Sequence, residues 1–185
     1  MRKQAEWTLL EHAAPTLAGI KTASMFRFKE AQAERETALY RWRKVLSARG
    51  VSIATLQEGT ESALIYVYRA AHLRRDWAQP DTAKFLAAYD YDTAALLEEN
   101  LERLRVRLAA ESFPHEIGLF LGYPLVDVQG FIAHCGRNYR LCGCWKVYGD
   151  PYIAQQCFAQ YKKCRAAYLK CYAQGYSLSR LTLRS

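Results

Sequence analysis

Residues 113–150 read FPHEIGLFLGYPLVDVQGFIAHCGRNYRLCGCWKVYGD. This block holds six glycines and two prolines among aromatic, basic and cysteine residues. Glycine and proline supply backbone conformations that other residues rarely adopt, so the block is expected to contain several turns that the sequence specifies. Because such turns bring polar side chains to particular places, the block is the first candidate for a functional site.

Three elements are predicted within the block. The apolar run Ile117–Leu121 predicts a central strand that follows the extended Phe113–Pro114 pair. Pro124 is typical of the first turn of a helix, which we expect to run to about residue 133. A second strand is predicted over residues 139–148.

The rest of the chain alternates between helical and strand patterns. Helices are predicted over residues 6–14, 29–49, 93–110 and 151–174, with two short helices around residues 79–81, and strands over residues 20–28 and 62–69. Pro15 should end the first helix, while Asp150 and Pro151 should begin the last and longest one. This order fits an α+β or α/β domain, and we predict the α+β class. The prediction is a single domain, residues 1–185, with a mixed sheet of about four strands, helices packed on the sheet and a long C-terminal helix.

The charge balance narrows the classes of partner. The chain has 185 residues and a formal net charge of +8, from 26 Lys and Arg against 18 Asp and Glu. This excess favours acidic partners such as nucleic acid, anionic cofactors or acidic proteins. No apolar run approaches the roughly 18 residues that a membrane-spanning helix needs, and no export signal is visible. We therefore expect a cytoplasmic protein without a membrane partner, whose six cysteines are reduced.

The block and the basic helix after it, with its YKKC sequence, resemble the C-terminal signature of an uncharacterised bacterial family, catalogued as domain of unknown function 3793. The signature is FPHEIGxFLGYP followed by NYxxxGxWKVYG. HAAPTLAGIKTASMF and ALIYVYR are similar to two other landmarks of the family, so the resemblance covers nearly the whole chain. The resemblance implies no defined activity. By association alone, it implies a link to redox or iron physiology and a flavodoxin-type or iron-uptake partner.

Four side chains are candidates for ligand binding. Lys21, Arg69 and Lys146 each lie in or beside a predicted strand, where a cation needs solvent, a carboxylate or a ligand. These three cations could converge on a phosphate or carboxylate, although the chain lacks the glycine-rich phosphate-binding fingerprints. Tyr148 lies beside Lys146 and is the fourth candidate. The sequence indicates no particular cofactor.

His115 and Glu116 are the candidate catalytic residues. They open a predicted strand, and a histidine beside a carboxylate is common equipment for proton transfer near neutral pH. The alternative is structural. In that case His115 closes the turn through a backbone hydrogen bond and Glu116 pairs with a basic residue.

The cysteines have a packing interpretation and a metal-binding one. Three of them recur every seven residues on one face of the last helix, about 10 Å apart along its axis, and we interpret them as packing residues. These are Cys157, Cys164 and Cys171. A second set could supply ligands for zinc or an iron–sulfur cluster: His134, Cys135, Cys142 and Cys144. Since no paired CxxC motif accompanies this set, we predict no metal site.

The favoured hypothesis is a domain that binds a small anionic ligand or cofactor. Its pocket would be formed by residues 114–122 and 139–149 together with Lys21. One alternative is a redox- or iron-linked enzyme or accessory protein that uses His115 and Glu116. The other is a nucleic-acid-binding module whose last helix contacts phosphates. Because a solvated helix face explains those charges more simply, we do not expect nucleic acid as a partner.

Overall fold

A three-stranded antiparallel sheet forms the centre of the N-terminal part of the chain, in a computed structural model that describes residues 2–184. Its strands are β1 (Ala23–Phe28), β2 (Ser52–Glu58) and β3 (Ala63–Tyr68). β3 lies in the middle and pairs with both neighbours. All six residues of β3 are buried, as expected for a central strand rich in β-branched and aromatic residues.

Helices pack on this sheet around one hydrophobic core. They are α1 (Arg2–Leu17), α2 (Gln32–Ser47) and the short C-terminal α9 (Leu178–Leu181). α2 buries Leu39, Trp42 and Leu46, whose spacing of three and four residues places them on one face of the helix. Removing a large apolar side chain from water contributes about 1.5–3 kcal/mol, so these contacts position α2 on the sheet.

The middle of the chain is mostly helical. It contains α3 (Ala70–Trp77), α4 (Pro80–Ala87), α5 (Leu97–Ala109), α6 (Ile117–Phe120) and α7 (Leu125–Ala133), then a two-stranded ribbon of β4 (Leu141–Cys142) and β5 (Lys146–Val147), and the long helix α8 (Pro151–Ala173).

The chain divides into two compact units: residues up to 72 together with those from 163 form the first, and residues 73–162 form the second. The single domain stays a prediction. Among the described helices, none combines the length and apolar character needed to cross a membrane.

Arg69 is a buried cation that joins three parts of the first unit. Only 1% of its surface is exposed. The guanidinium donates hydrogen bonds of 2.7 Å to the carbonyl oxygens of Thr16 and Leu17, at the end of α1, and one of 2.8 Å to that of Leu183. Carbonyl groups at a helix C-terminus have no donor within the helix and carry partial negative charge. Arg69 supplies a charged donor in addition to the backbone N–H groups of Gly19 and Leu183, while its burial lowers its pKa.

The α+β class and the long C-terminal helix are confirmed. Asp150 begins α8 as predicted, because its Oδ1 accepts the backbone N–H of Tyr152 at 2.8 Å. The strands are distributed differently from the predicted mixed sheet of about four. Three of them form the antiparallel sheet, and the ribbon of β4 and β5 is separate. β2 has no counterpart among the predictions.

Two strand predictions within the block are wrong. Ile117–Phe120 form the helical turn α6 with Leu121 as its C-cap, and the N–H groups of Ile117, Gly118 and Leu119 bond to carbonyl oxygens three residues earlier. A short apolar run suits a buried helical turn as well as a buried strand, so its pattern does not distinguish the two. Residues 139–148 do not form one strand, because the chain reverses where the Gly143 N–H donates to the Trp145 carbonyl oxygen.

The prediction that Pro15 ends the first helix is also wrong. Pro15 lies inside α1, which continues to Leu17. Proline lacks only its own N–H and its ring disturbs only the preceding turn. The loss is limited here because Pro15 lies in the last turn, where its carbonyl oxygen accepts the N–H groups of Ile20 and Lys21.

Replacing Arg69 by methionine should lower the free energy of unfolding by about 3 kcal/mol, since it removes three hydrogen bonds from a charged donor, two of them buried. Urea unfolding followed by circular dichroism measures this change. The matched control is Arg27→Met, which alters an exposed arginine on β1 and should change stability by less than about 0.5 kcal/mol. Equal small effects of the two substitutions would contradict the role of Arg69.

Candidate functional site

Asp127 joins α7 to the β4–β5 ribbon. Its side chain is buried, with 4% of the residue exposed. Oδ2 accepts a hydrogen bond of 2.7 Å from the indole Nε1 of Trp145, and Oδ1 accepts the backbone N–H groups of Tyr148 at 2.7 Å and Gly149 at 2.8 Å. A buried carboxylate is costly unless donors satisfy it, and here three donors do so. The carboxylate therefore fixes the end of the ribbon against the first turn of α7.

Two glycines allow the ribbon to approach its neighbouring helices. A Cβ atom at Gly130 in α7 would lie 2.3 Å from Cγ of Tyr148. At Gly143, it would lie 2.2 Å from Cδ2 of Phe158 in α8. Real side chains do not tolerate such distances, so both rings pack where only glycine leaves room. Close packing, as well as turn formation, thus accounts for the glycines of the block.

The turn between α7 and β4 has an unusual backbone and is held by side chains from the ribbon. Cys135, Gly136 and Asn138 adopt left-handed conformations, with φ of 49°, 70° and 57°. The Nζ atom of Lys146 donates to the carbonyl oxygen of Gly136 at 2.7 Å. The hydroxyl of Tyr148 donates to the carbonyl oxygen of Arg137 at 2.9 Å. Two predicted site residues thus hold this turn in place.

Rings and cations form a continuous series of contacts beside this turn. The His115 ring centroid lies 5.6 Å from that of Phe113 and 4.9 Å from that of Phe131. Lys146 Nζ lies 5.7 Å from the Phe131 centroid and 5.1 Å from the Tyr139 centroid. We name this set, with the exposed arginine of the turn, the basic aromatic face: Phe113, His115, Phe131, Arg137, Tyr139 and Lys146.

Four of the six residues of the basic aromatic face lie in a segment with one sign of charge, and the other two, Phe113 and His115, precede it. Residues 128–149 contain Arg137, Arg140 and Lys146 but neither aspartate nor glutamate. The carboxylates that flank this segment have other partners, because Asp127 binds the ribbon and Asp150 caps α8. Positive charge therefore predominates in this segment, and an anionic ligand would meet it with little competition from the same stretch of chain.

Glu116 is in the interior, although it is adjacent to His115 in sequence. It is 1% exposed, whereas His115 is exposed. Its Oε1 accepts hydrogen bonds from the hydroxyl of Tyr91 at 3.2 Å and from Nε of Arg107. Burial and the carboxylate of Glu116 raise the pKa of Tyr91, and the hydrogen bond to Glu116 raises the pKa of Arg107. This is the ion pair that the structural alternative for Glu116 expected, and proton transfer by the two residues stays a prediction.

The other predicted ligand-binding residues belong to different units. Lys21 is half-buried in the loop between α1 and β1, and it shares the first unit with Arg69. Lys146 and Tyr148 belong to the second unit, where the turn after α7 brings them together, and Lys146 and His115 both contact Phe131. Convergence of Lys21 with Lys146 stays a prediction.

The four candidate metal ligands are exposed: His134, Cys135, Cys142 and Cys144. Across residues 2–184, no group of three or more His, Cys, Asp or Glu side chains is placed to hold a metal ion. His134 instead stacks on Tyr148, with ring centroids 5.7 Å apart and planes 9° from parallel.

The cysteines of the last helix are half-buried. Cys171 packs against the core of the first unit, in agreement with the packing interpretation. Burial raises the pKa of the Cys164 thiol to about 11, so this thiol is poorly suited to act as a nucleophile near neutral pH.

Sequence patterns did not single out Asp127, Phe131 or Tyr139. One signal for Asp127 was present, since it is the only charged residue between Glu116 and Arg137. A lone carboxylate in an apolar helix usually needs specific donors. Nothing in the local pattern indicates which ring of the block contacts Lys146, because that contact depends on how the ribbon folds back.

Comparison with known families identifies the chain at family level. The family model described as "Protein of unknown function (DUF3793)" matches residues 9–182. This match confirms the resemblance inferred from the sequence. No curated protein and no solved structure matches the chain.

Replacing Asp127 by asparagine should lower the free energy of unfolding by about 2 kcal/mol. The asparagine oxygen can still accept the N–H groups of Tyr148 and Gly149, but its NH2 group then faces the indole N–H of Trp145, so two donors oppose each other. Urea unfolding of the variant measures the loss.

The matched control for this substitution uses a Trp145→Phe background. Phenylalanine has no N–H to oppose the asparagine NH2 group, so Asp127→Asn should cost about 1 kcal/mol less there than in the natural chain. Equal costs in the two backgrounds would show that Asp127 and Trp145 do not interact.

Proposed function

The chain belongs to the family described as protein of unknown function DUF3793, and from its own residues we propose that it binds a small anionic ligand on the basic aromatic face. The observation that carries the proposal is the position of Lys146. Its ammonium group contacts both the Phe131 and the Tyr139 ring, in a segment without carboxylates. Lys146 is half-buried, and a half-buried ammonium group attracts an anion more strongly than one fully surrounded by water, because water screens it less.

The donors of the face suit a phosphate or carboxylate group. The Lys146 ammonium has three N–H groups, and its bond to the Gly136 carbonyl oxygen uses one of them. That bond also holds Nζ in one place, which lowers the entropy lost when a ligand binds. Arg137 is exposed on the same turn and can offer a planar set of donors.

The proposed site differs from the pocket predicted from the sequence. Of residues 114–122, only His115 contributes to the face, since Ile117–Phe120 are buried in α6. Tyr148 supports the turn through the Arg137 carbonyl oxygen. Participation of Lys21 is left as a prediction.

The cavity of the first unit fits an anionic ligand poorly. It has a volume of about 480 Å³ and lies beside Phe28 and Trp42. Three carboxylates line it against one guanidinium: Glu6, Glu30 and Glu34 against Arg41. Because like charges repel, a phosphate or carboxylate would be disfavoured in this cavity. The basic aromatic face is therefore the better candidate.

We also propose that the protein is bacterial, lies in the cytoplasm and is linked to redox or iron physiology. Small anionic cofactors are a class of ligand that such a protein would encounter, and the flavodoxin-type or iron-uptake partner comes from family association alone. The enzyme alternative gains no support from the contacts of Glu116, whose carboxylate is occupied by Tyr91 and Arg107.

Titration of ¹⁵N-labelled protein with inorganic pyrophosphate tests the proposal. At low ionic strength, millimolar pyrophosphate should shift the amide signals of His115, Arg137 and Lys146, and added salt should weaken binding because it screens exposed charges. Arg137→Gln should weaken binding roughly fivefold, which corresponds to about 1 kcal/mol for one exposed ion pair.

The control is Lys44→Gln, which removes an exposed lysine of α2 and should leave pyrophosphate binding unchanged. If pyrophosphate shifts no signal of the face, or if Arg137→Gln behaves as the control does, the proposal is wrong.

A further inference from the structure

We infer that the anion held on the basic aromatic face is the phosphate of a compound that also carries a planar heteroaromatic ring, as in a nucleotide. This inference rests on the proposed function. It names the class of ligand that the rings and the cations of the face would recognise together.

The rings are open to a ligand. Phe113 is 55% exposed and Tyr139 is 44% exposed. His115 is also exposed and lies between Phe113 and Phe131. Isolated exposed aromatic residues are common on protein surfaces, but here Phe113, His115 and Phe131 contact one another in series, and Lys146 contacts both Phe131 and Tyr139. A planar ligand ring can stack on such a surface whatever its pattern of hydrogen-bonding groups.

Lys146 links the rings to the anion-binding position. Its Nζ lies 5.1 Å from the centroid of Tyr139 and 5.7 Å from that of Phe131. A phosphate that contacts this ammonium group therefore lies beside both rings. A single ligand with a phosphate and an aromatic base would reach the cation and a ring at the same time.

The strength of each contact favours a ligand that uses both. Single exposed ion pairs contribute little to affinity, so a phosphate without a ring should bind weakly. Stacking of one base on an aromatic side chain adds roughly tenfold or more to affinity. We therefore expect the ring of the ligand to provide much of its binding.

The charges favour a small ligand over a nucleic-acid strand. Proteins that bind single strands use a groove of positive charge that follows the backbone over several nucleotides. Residues 128–149 have three cations, and two of them already donate to carbonyl oxygens: Lys146 to Gly136 and Arg140 to Gly149. This set matches one phosphate group better than a series of phosphates.

The test compares three ligands by isothermal titration calorimetry and by amide shifts: adenosine 5′-monophosphate, ribose 5-phosphate and adenosine. The monophosphate should bind at least about tenfold more tightly than ribose 5-phosphate, which keeps the phosphate and lacks the base. Adenosine, which keeps the base and lacks the phosphate, should also bind more weakly than the monophosphate.

Substitutions separate the two contacts. Tyr139→Ala should weaken binding of the monophosphate and leave that of ribose 5-phosphate unchanged, while Arg137→Gln should weaken both. Tyr152→Ala removes an exposed tyrosine of α8 outside the face and should change neither. Since Tyr139, Arg137 and Tyr152 are all exposed, amide spectra should show that each variant keeps the native fold.

Each other outcome overturns the inference in a recognisable way. Equal affinities for the monophosphate and ribose 5-phosphate would exclude a role for the ring and leave the anionic ligand of the proposed function standing. Adenosine binding as tightly as the monophosphate would also overturn the inference, because the phosphate would then contribute nothing to affinity. If neither pyrophosphate nor any of the three ligands binds, both proposals are overturned. A short oligoadenylate that binds more than a hundredfold more tightly than the monophosphate would identify single-stranded nucleic acid instead.

Discussion

The carboxylate of Asp127 is the interaction on which the second unit's candidate site depends. Each strand of the β4–β5 ribbon has two residues, and a two-stranded hairpin of that length is not stable by itself in water. Its position must come from other contacts. Asp127 provides three of them through Trp145, Tyr148 and Gly149, from a helix that precedes the ribbon in sequence. Tyr148 packed on Gly130 and Phe158 packed on Gly143 complete the attachment.

Several residues of the block therefore have a structural role and a proposed functional role. Lys146 holds the left-handed turn at Gly136 and also contacts two rings. A side chain already held by its own fold loses little freedom when it binds a ligand, which is an advantage of building a site from such residues. Arg69 is the contrasting case in the first unit, since carbonyl oxygens of the chain itself occupy its guanidinium.

Sequence patterns predicted the elements that have a helical period or a run of strand-forming residues with clear punctuation. α2 and α8 have helical periodicity with glycine after their ends, and β3 is an apolar run rich in β-branched and aromatic residues. Residues 117–121 have no such period, because five buried apolar residues suit either a strand or a helical turn. Residues 139–148 have the composition of one strand, and the contact that leaves room only for glycine at Gly143 comes from Phe158 in α8, outside the local pattern.

Only part of the candidate site was predictable from the sequence, because a local pattern does not show contacts between residues that are distant in the chain. His115 could be singled out because it stands beside a carboxylate after an X-Pro turn, and Lys146 because a lysine in a predicted strand needs solvent, a carboxylate or a ligand. The burial of Glu116 depends on Arg107 and Tyr91, and the neighbours of Lys146 depend on the ribbon folding back onto α7. Contacts between residues distant in sequence leave no periodic signal, so these details required the structure.

Hydrogen exchange of the Tyr148 and Gly149 amides tests most directly whether Asp127 positions the ribbon. If Asp127 binds these two N–H groups, they should exchange far more slowly than the amide of Ser112 in the exposed loop before the block, although they lie at the end of a two-residue strand. The indole N–H of Trp145 should be protected with them. Exchange of all three at the rate of Ser112 would contradict the account, because the ribbon would then be held by something other than the Asp127 carboxylate.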